Sequence, residues 1–419
     1  MEAQQQDRWA THLARAPWPY AALDVPALRA AGRRARPFRQ FVLKVNSRCN
    51  LACTYCYIYT MADATWRERP PVMDAATRAL TVRRIAEHAR RHRLPGVDLV
   101  LHGGEPLLTP AAELAELVRR LRQRLPAHCA LSVTVQTNAT LLTAGRLDAL
   151  AAAGIRVGVS LDGGPGHNAR RVDHAGRPSW PAAARGLRLL SGRPEVFAGL
   201  LSVVDLEQDP VETYESLLRF APPTLDLRLP LANWSSPPPG RRPGRTPYAD
   251  WLLAVFDHWW GAGRRRTRIR LFEEVIALLF GLPTGTEVLG PAASVTAVVE
   301  TDGAIELTDA LKSAYEGATH TGLHVARDGF DEALDHPGFV ARQLGTDALA
   351  PVCQACDLVA VCGGGHYVHR FRDGQGFANP SVYCAELDAL IRHIAARLHA
   401  AVPARPTPQA QPRAGALPC

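Results

Sequence analysis

The chain has 419 residues, of which 47% are hydrophobic, 21% charged and 7% aromatic, and a formal charge of +8. A chain this long buries roughly three quarters of its unfolded surface, and its composition excludes a coiled coil, a collagen and wholesale disorder. No apolar run reaches the ~20 residues of a membrane span, and the N-terminal segment lacks the apolar core of a secretory signal. A cytoplasmic globular protein is therefore expected, with no membrane partner. Of the 48 basic residues only Lys44 and Lys312 are lysines. An arginine excess spread along the chain reflects composition more than a nucleic-acid surface, so no nucleic-acid partner is expected.

Residues 1–36 form an N-terminal extension. The first strand-like run, 41–46, passes directly into Ser47-Arg48-Cys49. Further strand-like runs follow at 97–102, 131–136, 156–161, 196–203 and 224–231, with helix-like stretches between them at 74–93, 110–125, 143–153 and 181–191. This alternation over residues 37–231 predicts an α/β fold of repeated βα units around a parallel sheet. Six units are too few to close an eight-unit barrel, so the expectation is an open, partial (β/α)6, TIM-like barrel. Ligands of such sheets collect at the C-terminal strand ends. There the chain carries Cys49, His102-Gly103-Gly104-Glu105, Gln136-Thr137-Asn138 and Ser160-Leu161-Asp162-Gly163.

Beyond residue 231 the pattern changes. Residues 232–294 hold a Pro/Gly/Arg linker at 235–247 and bridging helices at 248–261 and 271–281. Residues 295–307 read as a β-hairpin turning at Asp302-Gly303. A loop-rich segment and a final helix near 385–400 complete a domain at 295–402, and the proline-rich tail, 403–419, is expected to be disordered.

Seven of the nine cysteines fall into two groups. An odd number in a chain without a signal argues against a disulfide framework and for metal. Cys49-x3-Cys53-x2-Cys56 offers three thiolates and no nearby fourth ligand, whereas structural zinc normally takes four. Three thiolates on a [4Fe–4S] cluster leave one iron open. Cys353-x2-Cys356-x5-Cys362 followed by Cys384 offers four thiolates, which suit either zinc or a second cluster. Cys129 reads as a core residue, and Cys419 falls on the tail.

With Tyr55 before Cys56, the first group resembles the signature of radical S-adenosylmethionine (SAM) enzymes, C-x3-C-x-aromatic-C. Gly103-Gly104-Glu105-Pro106 is similar to that family's GGE motif, whose carboxylate suits the SAM ammonium. Gln136, Asn138, Ser160 and Asp162 match positions where relatives contact SAM. His167-Asn168-Ala169-Arg170-Arg171 resembles the stretch whose arginine pairs with the SAM carboxylate, Arg171 being preferred to Arg170. The second group resembles the C-terminal half of a SPASM domain, an α+β Fe–S domain of peptide-modifying relatives. His366 stands where that pattern has a cysteine, and no cysteine lies between 130 and 352. The resemblance thus implies one auxiliary [4Fe–4S] cluster on Cys353, Cys356, Cys362 and Cys384, with His366 read as structural.

The runs Cys362-Gly363-Gly364-Gly365-His366, His369-Arg370-Phe371 and Gly376–Cys384 resemble FxsB-type radical SAM/SPASM maturases. That resemblance, over about 37–400, implies a cyclophane crosslink made between an aromatic ring and a β-carbon of a ribosomal precursor peptide. A one-electron reductant such as flavodoxin or ferredoxin is implied as partner. Asp309 is the implied proton acceptor, with a helix cap as its plainer alternative, and the auxiliary cluster is the implied electron acceptor. Asn233, Trp234, Tyr367 and Arg370 are expected to serve packing. The competing expectations are a sulfatase-type or thioether-forming maturase and a non-catalytic peptide-binding protein. About 36 residues are too few for a separate leader-binding domain, so leader recognition is expected from the catalytic domains or another chain.

Overall fold

The computed structural model describes residues 17–20 and 22–401. The tail at 403–419 and residues 1–16 and 21 of the N-terminal extension lie outside the described residues. Apolar residues alternate along β1 (Gln40–Asn46), and Phe41, Leu43 and Val45 are fully buried. Asp74 caps α1 (Ala75–Arg91) by accepting from Thr77 N, and basic residues fill its last turn, where they suit the helix dipole. The alternation continues through β2 (Gly96–Gly103), α2 (Ala111–Arg124), β3 (Ala130–Thr137), α3 (Ala144–Ala152), β4 (Arg156–Ser160), α4 (Trp180–Ser191), β5 (Phe197–Val203), α5 (Pro210–Leu218) and β6 (Thr224–Arg228). Cys129 is buried in the core beneath these strands.

These six strands pair parallel, each with the next in sequence. That singly wound order carries the crossovers round one face, as in a barrel. Two further strands extend the parallel run beyond the expected six. Helix α6 (Pro247–Gly261) packs against α5 and leads to β7 (Arg268–Ile269), which pairs parallel with β6 and runs straight into α7 (Arg270–Leu279). On the other edge β8 (Thr296–Val299), entirely buried, pairs parallel with β1. The expected hairpin exists, with β9 (Ala304–Glu306) antiparallel to β8 and then β10 (His320–His324) antiparallel to β9. The hairpin is therefore part of one ten-stranded sheet, in the order β10-β9-β8-β1-β2-β3-β4-β5-β6-β7.

The last helix, α8 (Cys384–Ala401), packs on α6 and α7. Among the described residues, no helix is long and apolar enough to cross a membrane.

Candidate active site

A cavity of about 580 Å³ opens at the C-terminal ends of the parallel strands. Cys49, Cys53 and Cys56 line it from the loop that leaves β1. That loop is clamped to residues 170–174: Ala52 N donates to Val172 O at 2.7 Å, Thr54 N to Arg170 O at 3.0 Å, and His174 Nε2 meets Cys49 O at 2.8 Å. Sequence patterning gave no sign of this clamp, because it pairs two irregular segments.

Gly103 and Gly104 line the cavity, yet their glycine requirement comes from the cysteine loop. A Cβ on Gly103 would stand 2.0 Å from Asn46 O, and one on Gly104 would stand 1.9 Å from the Tyr59 hydroxyl and 2.4 Å from Arg48 O. Gly104 N and Glu105 N then donate to Asn46 O and Arg48 O. The second strand tip thus packs directly on the first. Glu105 stands at the same strand tip and is buried. Its buried carboxylate accepts from Leu107 N at 2.9 Å, Thr137 Oγ1 at 2.6 Å and Asn138 N at 2.8 Å, and it is absent from the cavity lining. Burial raises its pKa against these donors. These bonds tie the tip of β2 to the tip of β3.

The other strand-tip residues face the cavity. Gln136 Nε2 donates to Ser160 Oγ at 2.9 Å. Asn138 Nδ2 donates to Asn50 Oδ1 at 2.9 Å and reaches Cys49 Sγ at 3.8 Å, tying β3 to the cysteine loop. The Tyr55 hydroxyl donates to Asp162 and accepts from Arg171 Nη1 at 2.9 Å. Arg171 is buried, and although burial opposes its charge, Tyr55, Asp162 and Cys53 favour it. Arg170 is half exposed, 3.7 Å from Asp205. The arrangement thus distinguishes the two arginines.

Asp309 is not on the cavity wall. It opens a short 3₁₀ turn whose cap position is Thr308, so the helix-cap alternative fails. Its Oδ2 pairs with Lys44 Nζ, while Oδ1 has no hydrogen-bond partner. Lys44 Nζ also lies 3.1 Å from His102 Nδ1, and it is His102 that lines the cavity. An ammonium only donates, so His102 Nδ1 accepts and its proton sits on Nε2. Burial, and then Lys44, push the His102 pKa down to about 4. The second lysine, Lys312, pairs with Glu300 close by. Both lysines of the chain are thus buried in one charge cluster behind the cavity.

The auxiliary cysteines come from two short helices, the turn between them and the start of α8. Cys353 and Cys362 lie on helices Pro351–Gln354 and Val359–Cys362, Cys356 lies between them, and Cys384 opens α8. Gly363, Gly364 and Gly365 all have positive φ, and their carbonyls turn onto the Arg370 guanidinium at 2.7, 3.0 and 2.7 Å. Arg370 serves packing, as expected. So do Asn233, which donates to Ser313 O at 3.2 Å, and Trp234, which donates to Pro380 O at 2.7 Å. Tyr367 is buried, stacked on Phe377.

Burial raises the thiols of Cys53, Cys56, Cys353 and Cys384, that of Cys49 to about 12 and that of Cys362 to about 11. Such sulfurs ionise in step with cation binding. Among the described residues, neither group has three sulfurs within 4.8 Å of one another. Tetrahedral zinc, at Zn–S ~2.3 Å, would draw them closer than that. The donor set and spacing therefore fit a cluster better than a single ion.

Two residues on the wall, His369 and Glu274, were missed as site candidates, and a third, His366, was read as structural. His366 and His369 line the cavity, as does Glu274 of α7. So do Ser236, Pro237 and Pro239 of the Pro/Gly/Arg segment at 235–247. Their signal was tertiary, since nothing in the local pattern separates a wall histidine from a packed one.

Residues 43–204 match the family model of the Radical SAM superfamily, so the chain carries a radical SAM domain. It is 26% identical over 364 residues to a serine-type anaerobic sulfatase-maturating enzyme of Klebsiella aerogenes, covering 83% of this chain and 85% of that protein. A GTP 3',8-cyclase of Parasynechococcus marenigrum is 34% identical over 192 residues, 44% of this chain and 49% of that one. Among solved structures, native anSMEcpe with bound AdoMet superposes with a TM-score of 0.72 at 20% identity, covering 86% of this chain and 98% of that chain. SuiB of Streptococcus suis bound to precursor peptide SuiA gives 0.55 at 17% identity, covering 84% and 77%.

Proposed function

We propose that this chain, with its radical SAM domain, is a peptide maturase that forms a cyclophane crosslink in a ribosomally made precursor peptide. Cys49, Cys53 and Cys56 would hold a [4Fe–4S] cluster, and Cys353, Cys356, Cys362 and Cys384 one auxiliary cluster. Such a cluster with SAM supplies one-electron cleavage of SAM to a carbon radical able to take hydrogen from a C–H bond. The protein's part is orientation and exclusion of water. Arg171, held against Tyr55 and Asp162, presents a fixed cation for a carboxylate. Gln136, Asn138 and Ser160 offer hydrogen bonds at the neighbouring tips, and Gly103 and Gly104 present backbone. His102 would offer Nε2–H to a bound group at the cavity wall, and Asp309, the proton acceptor the reading assigns, lies behind it paired with Lys44.

The single observation that carries the crosslinking reading is the apolar wall beyond the thiols. Leu201, Val203, Leu227, Leu229, Pro230 and Leu271 line it, and such a wall suits an aromatic ring better than a lone Ser or Cys. A sulfatase-type maturase, which would oxidise that small residue, is the second reading. It is favoured by the similarity to the Klebsiella aerogenes protein across 83% of the chain. Tandem mass spectrometry of the precursor peptide encoded beside the gene, co-expressed with wild type and with Cys49→Ala, separates the two. Loss of two hydrogens, with fragmentation blocked between an aromatic residue and a near neighbour, is expected. A change confined to one Ser or Cys that then reacts with hydroxylamine would replace crosslinking by aldehyde formation.

A further inference from the structure

Charged side chains around the second cysteine group and the neighbouring histidines are mostly paired. Arg342 pairs with Glu287, while Arg228 and Arg270 face Asp226 and Glu274. Burial and the nearby arginines keep His366 and His369 neutral, His369 down at about 3. On the solvent side Asp357, 3.8 Å from Cys356 Sγ, and Asp388 share Arg392, their side chains 68% and 47% exposed. Arg370 is the exception. It is 8% exposed, and among the described residues no carboxylate pairs with it. The groups that favour its charge are the Tyr367 hydroxyl and two thiols, Cys362 and Cys353.

The loop that leaves Cys362 fixes this guanidinium in place. Nη2 donates to Gly363 O and Gly365 O, both at 2.7 Å, and Nε donates to Gly364 O at 3.0 Å. A Cβ on Gly364 would stand 3.0 Å from Arg370 Cζ, so the cation lies flat against the loop. The Tyr367 ring covers it, with its centroid 5.6 Å from Cζ. The same loop turns the Gly364 amide onto the Cys362 sulfur, where it favours the thiolate. Arg370 favours the thiolates of Cys362 and Cys353 in turn. Carbonyl dipoles orient a cation without cancelling its charge, and a buried charge left without a countercharge is strongly destabilising. Thiolates holding an iron–sulfur core supply that countercharge.

We infer that Arg370, beyond its packing, sets the reduction potential of an auxiliary cluster on Cys353, Cys356, Cys362 and Cys384, raising it through an unneutralised buried charge. This rests on the auxiliary cluster proposed above. Reduction adds one negative charge to such a cluster, so a fixed cation stabilises the reduced form more than the oxidised one. The Gly364 amide on a ligand sulfur acts in the same direction. Exposed Asp357, Asp388 and Arg392 are paired with one another and screened by solvent, which leaves Arg370 as the dominant charge. A higher potential makes the cluster a better electron acceptor.

The test is a redox titration followed by electron paramagnetic resonance on the full chain with its clusters assembled. The auxiliary signal is the one that added SAM leaves unchanged. In Arg370→Gln, which keeps a donor and removes the charge, the reduction equilibrium of that signal should fall at least tenfold, or ~59 mV for one electron. Arg370→Lys, which keeps the charge, should stay within about threefold of wild type, as should the SAM-sensitive signal in both variants. Loss of the auxiliary iron in Arg370→Gln alone, with Arg370→Lys retaining it, would equally show that the charge is needed. A potential unmoved in Arg370→Gln, or an equal fall or iron loss in both variants, would overturn the inference and leave the cluster standing. Wild type holding only about four irons per chain, with no SAM-insensitive signal, would overturn the auxiliary cluster and the role of Arg370 together.

Discussion

Replacing Lys44 by methionine tests whether the buried charge cluster is a matched set. The Lys44 side chain is 3% exposed and pairs with Asp309, 10% exposed, whose second oxygen already lacks a partner. In Lys44→Met that carboxylate loses its countercharge without gaining access to water. Removing one partner of a buried pair costs about 3–5 kcal/mol, whereas replacing both by apolar groups is often neutral. At roughly 2–4 °C per kcal/mol, Lys44→Met should melt about 6–20 °C below wild type, toward the lower end for a chain this long. Lys44→Met/Asp309→Leu should recover at least half of that loss, since the two effects are strongly non-additive. Differential scanning calorimetry at neutral pH on the three proteins reads both. A single variant within about 2 °C of wild type, or a double variant melting below the single, would refute the pairing.

Three further outcomes follow from the same geometry. Burial raises the Glu300 carboxyl, but Lys312, Lys44 and Arg69 outweigh it and hold the group down at about 2. A depressed carboxylate stabilises above its unfolded pKa of ~4.3 and loses that contribution as pH falls toward 2; melting temperature should drop across this window, less steeply in Glu300→Gln. Arg171→Met should weaken SAM binding at least tenfold by calorimetric titration, while Arg170→Met stays within about threefold, because only Arg171 is held by Tyr55 and Asp162; equal losses would remove the distinction. Gly104→Ala forces a methyl into the Tyr59 hydroxyl and Arg48 carbonyl, costing ~1–3 kcal/mol, and should lower the iron bound at the first cysteine group from about four per chain. Undiminished iron in that variant would show that the loop yields freely.

Both the hairpin and the glycine pair show how far local pattern reaches. Asp302-Gly303 marked a turn, and the turn is there, with Gly303 at φ +97° and its amide donating to Glu300 O at 2.9 Å. That β8 would then lie parallel to β1, sealing the barrel's first edge, depends on buried faces meeting across the fold. In the same way the pair Gly103-Gly104 stood out in a GGE-like motif, but only the folded chain places it against the backbone of Asn46 and Arg48.

Sequence alone determined the βα alternation, the two cysteine groups and the polar strand tips, because a period-2 strand, a capped helix and a thiol spacing are written in neighbouring residues. Tertiary structure decided what those tips face. It turned the Glu105 carboxylate onto β3 and away from the cavity, set Asp309 behind His102 and Lys44, and brought His366, His369 and Glu274 to the wall. Each of these placements joins residues far apart in the chain through burial and charge pairing, and a buried charge takes its meaning from partners that sequence order does not reveal.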